Sequence, residues 1–176
     1  MKQQVSKILS LTTAAALTLG MVVTAHAADS GVTRGDIAKL LVEKAGLSGQ
    51  VAEYAAKPSA FRDVAEGSDY EGYINLAYEK GLMSGTGGGS FSPETKATQL
   101  EAAAAVMKYA GGPEEMRKAW PADYNDTAVR VGLTAGIEFN GAEMVTAAQF
   151  EAMLKNGAAL IGKPYIGISW KSNTQN

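Results

Sequence analysis

Three helix starts of the same kind most constrain what this chain can fold into. Thr33, Thr98 and Thr146 each stand three residues before Asp, Glu or Gln, and each precedes an apolar run. In such a capping box the threonine oxygen accepts an otherwise unpaired backbone N–H, and the third side chain reaches back to the cap. A single box is a common coincidence, whereas three before similar helices indicate structural repeats.

The most complete repeat covers residues 61–111. It opens with Phe61-Arg62-Asp63-Val64, and the helical pattern that follows stops at Gly81, a residue suited to a left-handed helix end. A glycine-rich loop then leads through Phe91-Ser92-Pro93 to the helix that begins at Thr98. One such unit is too small to bury its own apolar helix faces, so neighbouring units must pack together.

This order of motifs resembles the S-layer homology domain of bacterial envelope proteins. The resemblance rests on Phe61-Arg62-Asp63-Val64, Gly81-Leu82-Met83-Ser84-Gly85, Ser90-Phe91-Ser92-Pro93 and the capped helices. It implies an all-α, mainly helical fold with little β structure. The expected architecture is a pseudo-threefold arrangement of helix–loop–helix repeats, with grooves between adjacent lobes.

The chain divides into a leader, a helical domain and a tail. Residues 1–27 read as a secretory signal, because Lys2 and Lys7 precede an apolar stretch that ends in Ala25-His26-Ala27. A membrane anchor is the alternative, but the apolar stretch is short and interrupted by polar residues. The expected S-layer homology-like domain is 28–161, with units at about 31–60, 61–111 and 113–161, followed by a tail at 162–176.

Inside the domain, the helix before the second box aligns with the helix before the third. The alignment pairs Gly81-Leu82 with Gly136-Ile137 and leaves the third unit without a Phe-x-Pro segment. The first unit lacks its front half altogether. The sequence therefore predicts one full repeat, one leading half and one eroded repeat.

Residue usage excludes several kinds of chemistry. The chain has no cysteine, and its one histidine, His26, lies in the expected signal. Catalytic sites that depend on histidine or cysteine are thus excluded from the mature protein, and so are metal sites with histidine or cysteine ligands. Loss of Lys2 and Lys7 would leave a net charge of about −4, without the basic stripe of a nucleic-acid-binding protein. We expect no enzyme, no catalytic residue, no metal and no cofactor.

The family resemblance also indicates a ligand site. In S-layer homology domains, the arginine of a Thr-Arg-Ala-Glu helix start grips the carboxylate of a pyruvate ketal on wall polysaccharide. Thr33, Arg34 and Asp36 match that motif, whereas Gln99 and Ala147 replace the arginine in the later units. Tyr70 stands near the family's usual tryptophan. The predicted ligand-binding residues are Thr33, Arg34, Asp36, Tyr70, Gln99 and Glu101.

Two of these assignments have an alternative in which the residue has only a structural role. Arg34 is equally well explained as an arginine paired with Asp36 or another acid, and Tyr70 as a partly buried packing residue. The neighbouring carboxylates Glu114 and Glu115 read as solvated charges at a helix start.

The leading hypothesis is an exported, non-catalytic envelope protein that binds secondary cell-wall polysaccharide, including polysaccharide with pyruvyl groups. Its expected place is the cell wall or the extracellular space, with no nucleic-acid partner and no stable membrane span after signal cleavage. The loss of two motif arginines leaves a second hypothesis open: a secreted effector, a toxin or signal acting on sibling or competing bacteria. A carboxylate-based glycan hydrolase is a minor third alternative.

Overall fold

A computed structural model of the protein describes residues 31–111 and 122–162. The signal at 1–27 and most of the tail lie outside these residues. Within them the chain is mainly helical, as predicted, and its β structure consists of three isolated bridges. The helices are α1 (Arg34–Lys44), α2 (Val51–Ala55), α3 (Glu71–Glu79), α4 (Gln99–Tyr109), α5 (Ala122–Arg130) and α6 (Ala147–Ala158), with a 3₁₀ turn at Ser48–Gln50.

All three predicted capping boxes are confirmed. Helices α1, α4 and α6 begin after Thr33, Thr98 and Thr146, and each threonine oxygen accepts the backbone N–H three residues on. In return, Asp36, Glu101 and Gln149 accept the backbone N–H of their threonine at 3.1, 2.9 and 3.0 Å. Each helix start thereby satisfies two groups that would otherwise be unpaired.

The residues that precede the three threonines form a closed ring of backbone hydrogen bonds. Val32 N–H donates to Val145 O at 3.0 Å, Val145 N–H to Ala97 O at 2.9 Å, and Ala97 N–H to Val32 O at 2.9 Å. All three residues are buried. The starts of α1, α4 and α6 therefore meet at one point. This ring is compatible with the pseudo-threefold arrangement, which for the whole units stays a prediction.

Helix α4 lies at the centre of the core. Residues 102–107 are all buried, and the helix packs against α1, α5 and α6, while α3 packs against α1 and α2. Fully buried side chains contributed by the surrounding segments include Ile37, Phe91, Leu133 and Phe150. Burial of each such side chain stabilises the fold by about 1.5–3 kcal/mol. None of the helices in the described ranges is long and apolar enough to cross a membrane.

The opening motif of the second unit anchors the segment before α4. The carboxylate of Asp63 accepts the backbone N–H groups of Phe91 and Ser92, both at 2.8 Å. Burial alone would raise the pKa of Asp63, but these hydrogen bonds outweigh it and hold the pKa below the ordinary value. Phe61 packs against Phe91 with 5.3 Å between the ring centroids. Phe61 and Asp63 of the opening motif thus contact Phe91 and Ser92 of the later motif directly.

The predicted alignment between the second and third units is wrong by four residues. After α3, Gly81 adopts a left-handed conformation, and Leu82 N–H donates back to Ala77 O. After α5, Gly132 has the left-handed conformation at the same point, and Leu133 N–H donates to Ala128 O. The counterpart of Gly81-Leu82-Met83-Ser84-Gly85 is therefore Gly132-Leu133-Thr134-Ala135-Gly136.

The third unit also keeps a counterpart of Phe91-Ser92-Pro93. Gly35 N–H donates to Pro93 O at 2.9 Å, and at the same point of the next helix Leu100 N–H donates to Gly141 O at 3.1 Å. Phe139-Asn140-Gly141 therefore occupies the place of Phe91-Ser92-Pro93. The third unit retains the aromatic residue and replaces the proline by glycine.

Gly157 offers a test of how closely α4 and α6 pack. A Cβ atom at this position would overlap Val106 Cγ1. We expect Gly157→Ala to lower the free energy of unfolding by about 1–3 kcal/mol, as overpacking does, although alanine favours helix. Urea denaturation measures the change.

Gly49→Ala is the control, since no heavy atom lies within 4 Å of an added Cβ there. Combining Gly157→Ala with Val106→Ala should recover part of the loss. Equal stability of Gly157→Ala and the parent would contradict close packing of the two helices.

Candidate functional site

A cavity of about 390 Å³ lies mainly within the second unit. One wall is the turn after α3, from Leu82 to Thr86, and the other is the side of α4 that carries Ala104, Ala105 and Lys108. Tyr124 of α5 contributes to the rim, and Arg34 and Glu101 complete the lining. The cavity therefore collects side chains from all three units.

Arg34 is buried and held entirely by the protein. Its Nε donates to Phe91 O at 2.8 Å, its Nη2 to Ser84 O at 2.8 Å, and its Nη1 to Glu101 Oε1 at 3.0 Å. Its guanidinium carbon lies 4.9 Å from the centroid of the Phe91 ring. Burial lowers the pKa of Arg34, and the Glu101 carboxylate opposes this effect. Arg34 thus fastens the start of α1 to the second unit.

Glu101 serves two helix starts at once. Its Oε2 accepts hydrogen bonds from the N–H and hydroxyl of Thr98, at 2.9 and 3.2 Å, as the capping box requires. Its Oε1 is the atom that pairs with Arg34. The Glu101 carboxylate that caps α4 is therefore also the counter-ion of Arg34 in α1.

Thr33, Asp36 and Tyr70 form a separate cluster, and none of them lines the cavity. Asp36 accepts a hydrogen bond from the Tyr70 hydroxyl at 2.7 Å in addition to its capping contacts with Thr33. Burial would raise the pKa of Asp36, but the hydrogen bonds from Thr33 and Tyr70 outweigh it and keep the pKa below the ordinary value of an aspartate. The hydrogen bond between the Tyr70 hydroxyl and Asp36 also raises the pKa of Tyr70.

The Tyr70 ring also explains a departure from the family motif. A Cβ on Gly35 would lie 3.0 Å from the Cγ and Cδ2 atoms of Tyr70. Glycine at the position where the motif has alanine therefore lets the ring approach the first turn of α1. This packing favours the structural interpretation of Tyr70, and its stacking on a sugar stays a prediction.

Gln99 is buried at the start of α4 and is not among the described residues that line the cavity. Its Oε1 accepts the backbone N–H of Asn140 at 3.0 Å, in the segment equivalent to the one that Arg34 holds. The six predicted residues thus fall into three groups: Arg34 with Glu101 at the cavity, Thr33 and Asp36 with Tyr70, and Gln99 alone. Ligand contact by each of them stays a prediction.

The sequence reasoning missed Lys108, which lines the cavity from the last turn of α4. Its Nζ donates to Ser84 Oγ at 3.0 Å. The signal that points to it is its spacing, ten residues after Thr98. The same position ten residues after Thr146 is Asn156, whose Nδ2 donates to Leu133 O and Ala135 O. In both units this position reaches the turn after the preceding helix.

Comparison of equivalent positions shows how the charges are distributed. Each junction between two successive capped helices is described by three residues. They are the first residue of the earlier helix and the residues three and ten positions after the capping threonine of the later helix. The α1–α4 junction has Arg34, Glu101 and Lys108, and the α4–α6 junction has Gln99, Gln149 and Asn156. The first junction carries charges of both signs, whereas the second carries three amides.

Within residues 31–111 and 122–162, no group of three His, Cys, Asp or Glu side chains is arranged to hold a metal ion. The acidic residues at 114 and 115 lie outside the described residues. The chemistry available at the cavity is therefore hydrogen bonding, charge and apolar contact from the residues that line it.

Residues 60–103 match the family model of the S-layer homology domain, which confirms the resemblance for that stretch. The chain is 31% identical over 115 residues to a "Cell surface protein" from Thermoanaerobacter kivui, covering 64% of this chain and 15% of that protein. It is 27% identical over 129 residues to a "Surface layer protein" from Brevibacillus choshinensis, covering 73% and 11%.

A third relative is a "Middle cell wall protein" from Brevibacillus brevis, 27% identical over 96 residues, which covers 54% of this chain and 9% of that protein. The chain thus corresponds to a small part of each of these relatives.

The ion pair between Arg34 and Glu101 predicts unequal effects of single and paired substitutions. Arg34→Gln leaves the Glu101 carboxylate, which is 28% exposed, without its counter-ion and should lower the free energy of unfolding by about 2–3 kcal/mol. Arg34→Gln with Glu101→Gln, which copies the α4–α6 junction, should lose clearly less. Chemical denaturation of both variants tests this. A double variant that is less stable than Arg34→Gln would contradict the role of Glu101 as counter-ion.

The lowered pKa of Asp36 gives a prediction in pH. A carboxyl group whose folded pKa is depressed adds stability above its unfolded pKa and loses it as the pH falls through the folded value. Tyr70→Phe removes one cause of the depression. It should cost about 1 kcal/mol near neutral pH and show a smaller further loss as the pH falls below about 4.

Thermal unfolding across that pH range measures the effect. Tyr78→Phe is the control, because Tyr78 is 47% exposed and its ring edge packs on Phe61. Parallel pH profiles for Tyr70→Phe and the parent would show that the hydroxyl does not act on Asp36.

Proposed function

Because residues 60–103 carry an S-layer homology domain, we propose that this chain is a non-catalytic protein that binds cell-wall polysaccharide at the cavity beside α4. The domain and the cell-surface, surface-layer and cell-wall relatives make it a cell-wall-associated or extracellular protein. Its role is attachment to the envelope. The observation that carries the proposal is the α1–α4 junction, where a cavity coincides with both cations.

The chemistry of the cavity suits an acidic sugar. Among the described lining residues, Arg34 and Lys108 carry two positive charges against the one negative charge of Glu101, which favours an anionic group there although the chain as a whole is acidic. Ser84 and Thr86 supply hydroxyl groups, and the side chains of Leu82, Met83, Ala104 and Ala105 supply apolar surface. A pyruvate ketal presents a carboxylate and a methyl group on a hydroxyl-bearing ring, which matches this combination.

The state of the carboxylate at the cavity supports a binding role without catalysis. Glu101 is the one carboxylate among the described lining residues. Both of its oxygens are engaged, one by Arg34 and the other by Thr98. Glycoside hydrolysis by the usual route requires two carboxyl groups across the scissile bond, at least one of them available to exchange a proton. The lining residues present no such pair.

Blocking the cavity tests this function. Ala104→Leu would fill it from the α4 wall, and Ala152→Leu is the matched control, since Ala152 has the same place after the cap in α6. The probe is purified wall polysaccharide with pyruvyl ketals, together with the same material after mild acid removal of the ketals. Retention on insoluble wall material and titration calorimetry measure binding.

We expect the parent and Ala152→Leu to bind the substituted polysaccharide, and Ala104→Leu to bind it about tenfold or more weakly, because a side chain then occupies the ligand's volume. Thermal unfolding verifies that both variants are folded. Failure of the parent to bind either polysaccharide would overturn the function. Binding by Ala104→Leu equal to that of the control would move the site away from this cavity.

A further inference from the structure

The peptide group between Phe91 and Ser92 is held from both sides by charged side chains. Its C=O accepts a hydrogen bond from Arg34 Nε at 2.8 Å, and its N–H donates to Asp63 Oδ2 at 2.8 Å. Because the N–H and C=O of a trans peptide point in opposite directions, the anion and the cation each lie at the end of the peptide dipole that attracts them. Asp63 and Arg34 are thus connected by one continuous chain of hydrogen bonds through this peptide.

Ser92 has a backbone conformation that is unfavourable for serine. Its φ is 62°, and no other non-glycine residue within 31–111 and 122–162 has a positive φ. Such a conformation persists only where the surrounding contacts fix it. The second oxygen of Asp63 accepts the N–H of Phe91 at 2.8 Å, and Ser92 Oγ lies 3.0 Å from the Thr86 hydroxyl oxygen. Asp63 therefore fixes the torsion angles that direct the Phe91 carbonyl towards Arg34.

The third unit holds the corresponding segment in a different way. Asn140 takes the place of Ser92, its φ is not positive, and its N–H donates to Gln99 Oε1 at 3.0 Å. There the first residue of the capped helix supplies the acceptor for the segment. An arginine has only donors and cannot do this. In the second unit Asp63 supplies the acceptors, so that the segment presents a carbonyl to Arg34.

We propose that Asp63 is a positioning residue that sets the preference of the cavity for an acid-substituted sugar by directing Arg34. This inference rests on the proposed function and concerns where the positive charge is held. Arg34 lines the cavity, whereas Asp63 is not among the described lining residues and acts through the peptide that follows Phe91. The guanidinium is kept beside the turn after α3, where its Nη2 donates to Ser84 O.

Asp63→Asn tests the inference because its two physical effects on anion binding have opposite signs. Loss of a negative charge in the neighbourhood of the cavity would by itself favour an anion. Loss of positioning disfavours the anion, because asparagine has one acceptor oxygen for the two backbone N–H groups that the carboxylate holds. Asp63 is exposed, so the substitution does not open the core.

Titration calorimetry with the pyruvylated polysaccharide and with its ketal-free counterpart gives the ratio of the two affinities. Partial unfolding would lower both affinities by the same factor and leave the ratio unchanged. We expect Asp63→Asn to lower the ratio about tenfold, since the placement of a charge-assisted contact is lost. Asp69→Asn removes the same charge from the same exposed loop and should leave the ratio unchanged or slightly higher.

A second substitution tests the route through the backbone. Asp63→Asn combined with Ser92→Gly should recover most of the lost preference, because glycine adopts a φ of 62° without strain. A ratio in Asp63→Asn that equals or exceeds that of the parent would overturn the inference and leave the proposed function standing. Equal ratios in the single and double variants would overturn it as well. If the parent binds neither polysaccharide, the proposed function itself fails, and this inference with it.

Discussion

The fold depends on the three backbone hydrogen bonds that close a ring among Val32, Ala97 and Val145. Each of these residues is extended just before a helix cap and is buried, so its N–H and C=O groups have to find partners within the protein. The ring satisfies one donor and one acceptor of each residue. Because every cap follows its ring residue directly, the ring also fixes where α1, α4 and α6 start.

The helix caps are the part of the structure that the sequence predicts well, because their contacts are local. A capping box is complete within four residues, and so its three occurrences could be recognised without knowledge of the fold. The end of α5 shows the limit of the same reasoning. Gly132 and Gly136 both adopt left-handed conformations, with φ of 78° and 77°, so either suits a helix end. The hydrogen bond from Leu133 to Ala128 decides between them, and no local pattern specifies it.

The candidate site was harder to predict because its contacts span the chain. Arg34 could be singled out from the sequence, but its partners lie 50, 57 and 67 residues away, and two of them are backbone carbonyls that any residue type could supply. Composition therefore could not tell whether the guanidinium faces a ligand or the protein. Lys108 had no motif of its own. Its equivalence to Asn156 became visible only when the third unit was aligned through its hydrogen bonds.

The corrected alignment changes how the replacement of the motif arginine by Gln99 is interpreted. A buried arginine needs a counter-ion, and here that ion is the capping glutamate of the next helix. At the α4–α6 junction both members are glutamine, so the replacement removes two opposite charges together and leaves no unpaired one. Loss of the motif arginine there is thus accounted for by the stability of the junction alone. It gives no measure of lost ligand binding at the α1–α4 junction, where the ion pair, the cavity and Lys108 occur together.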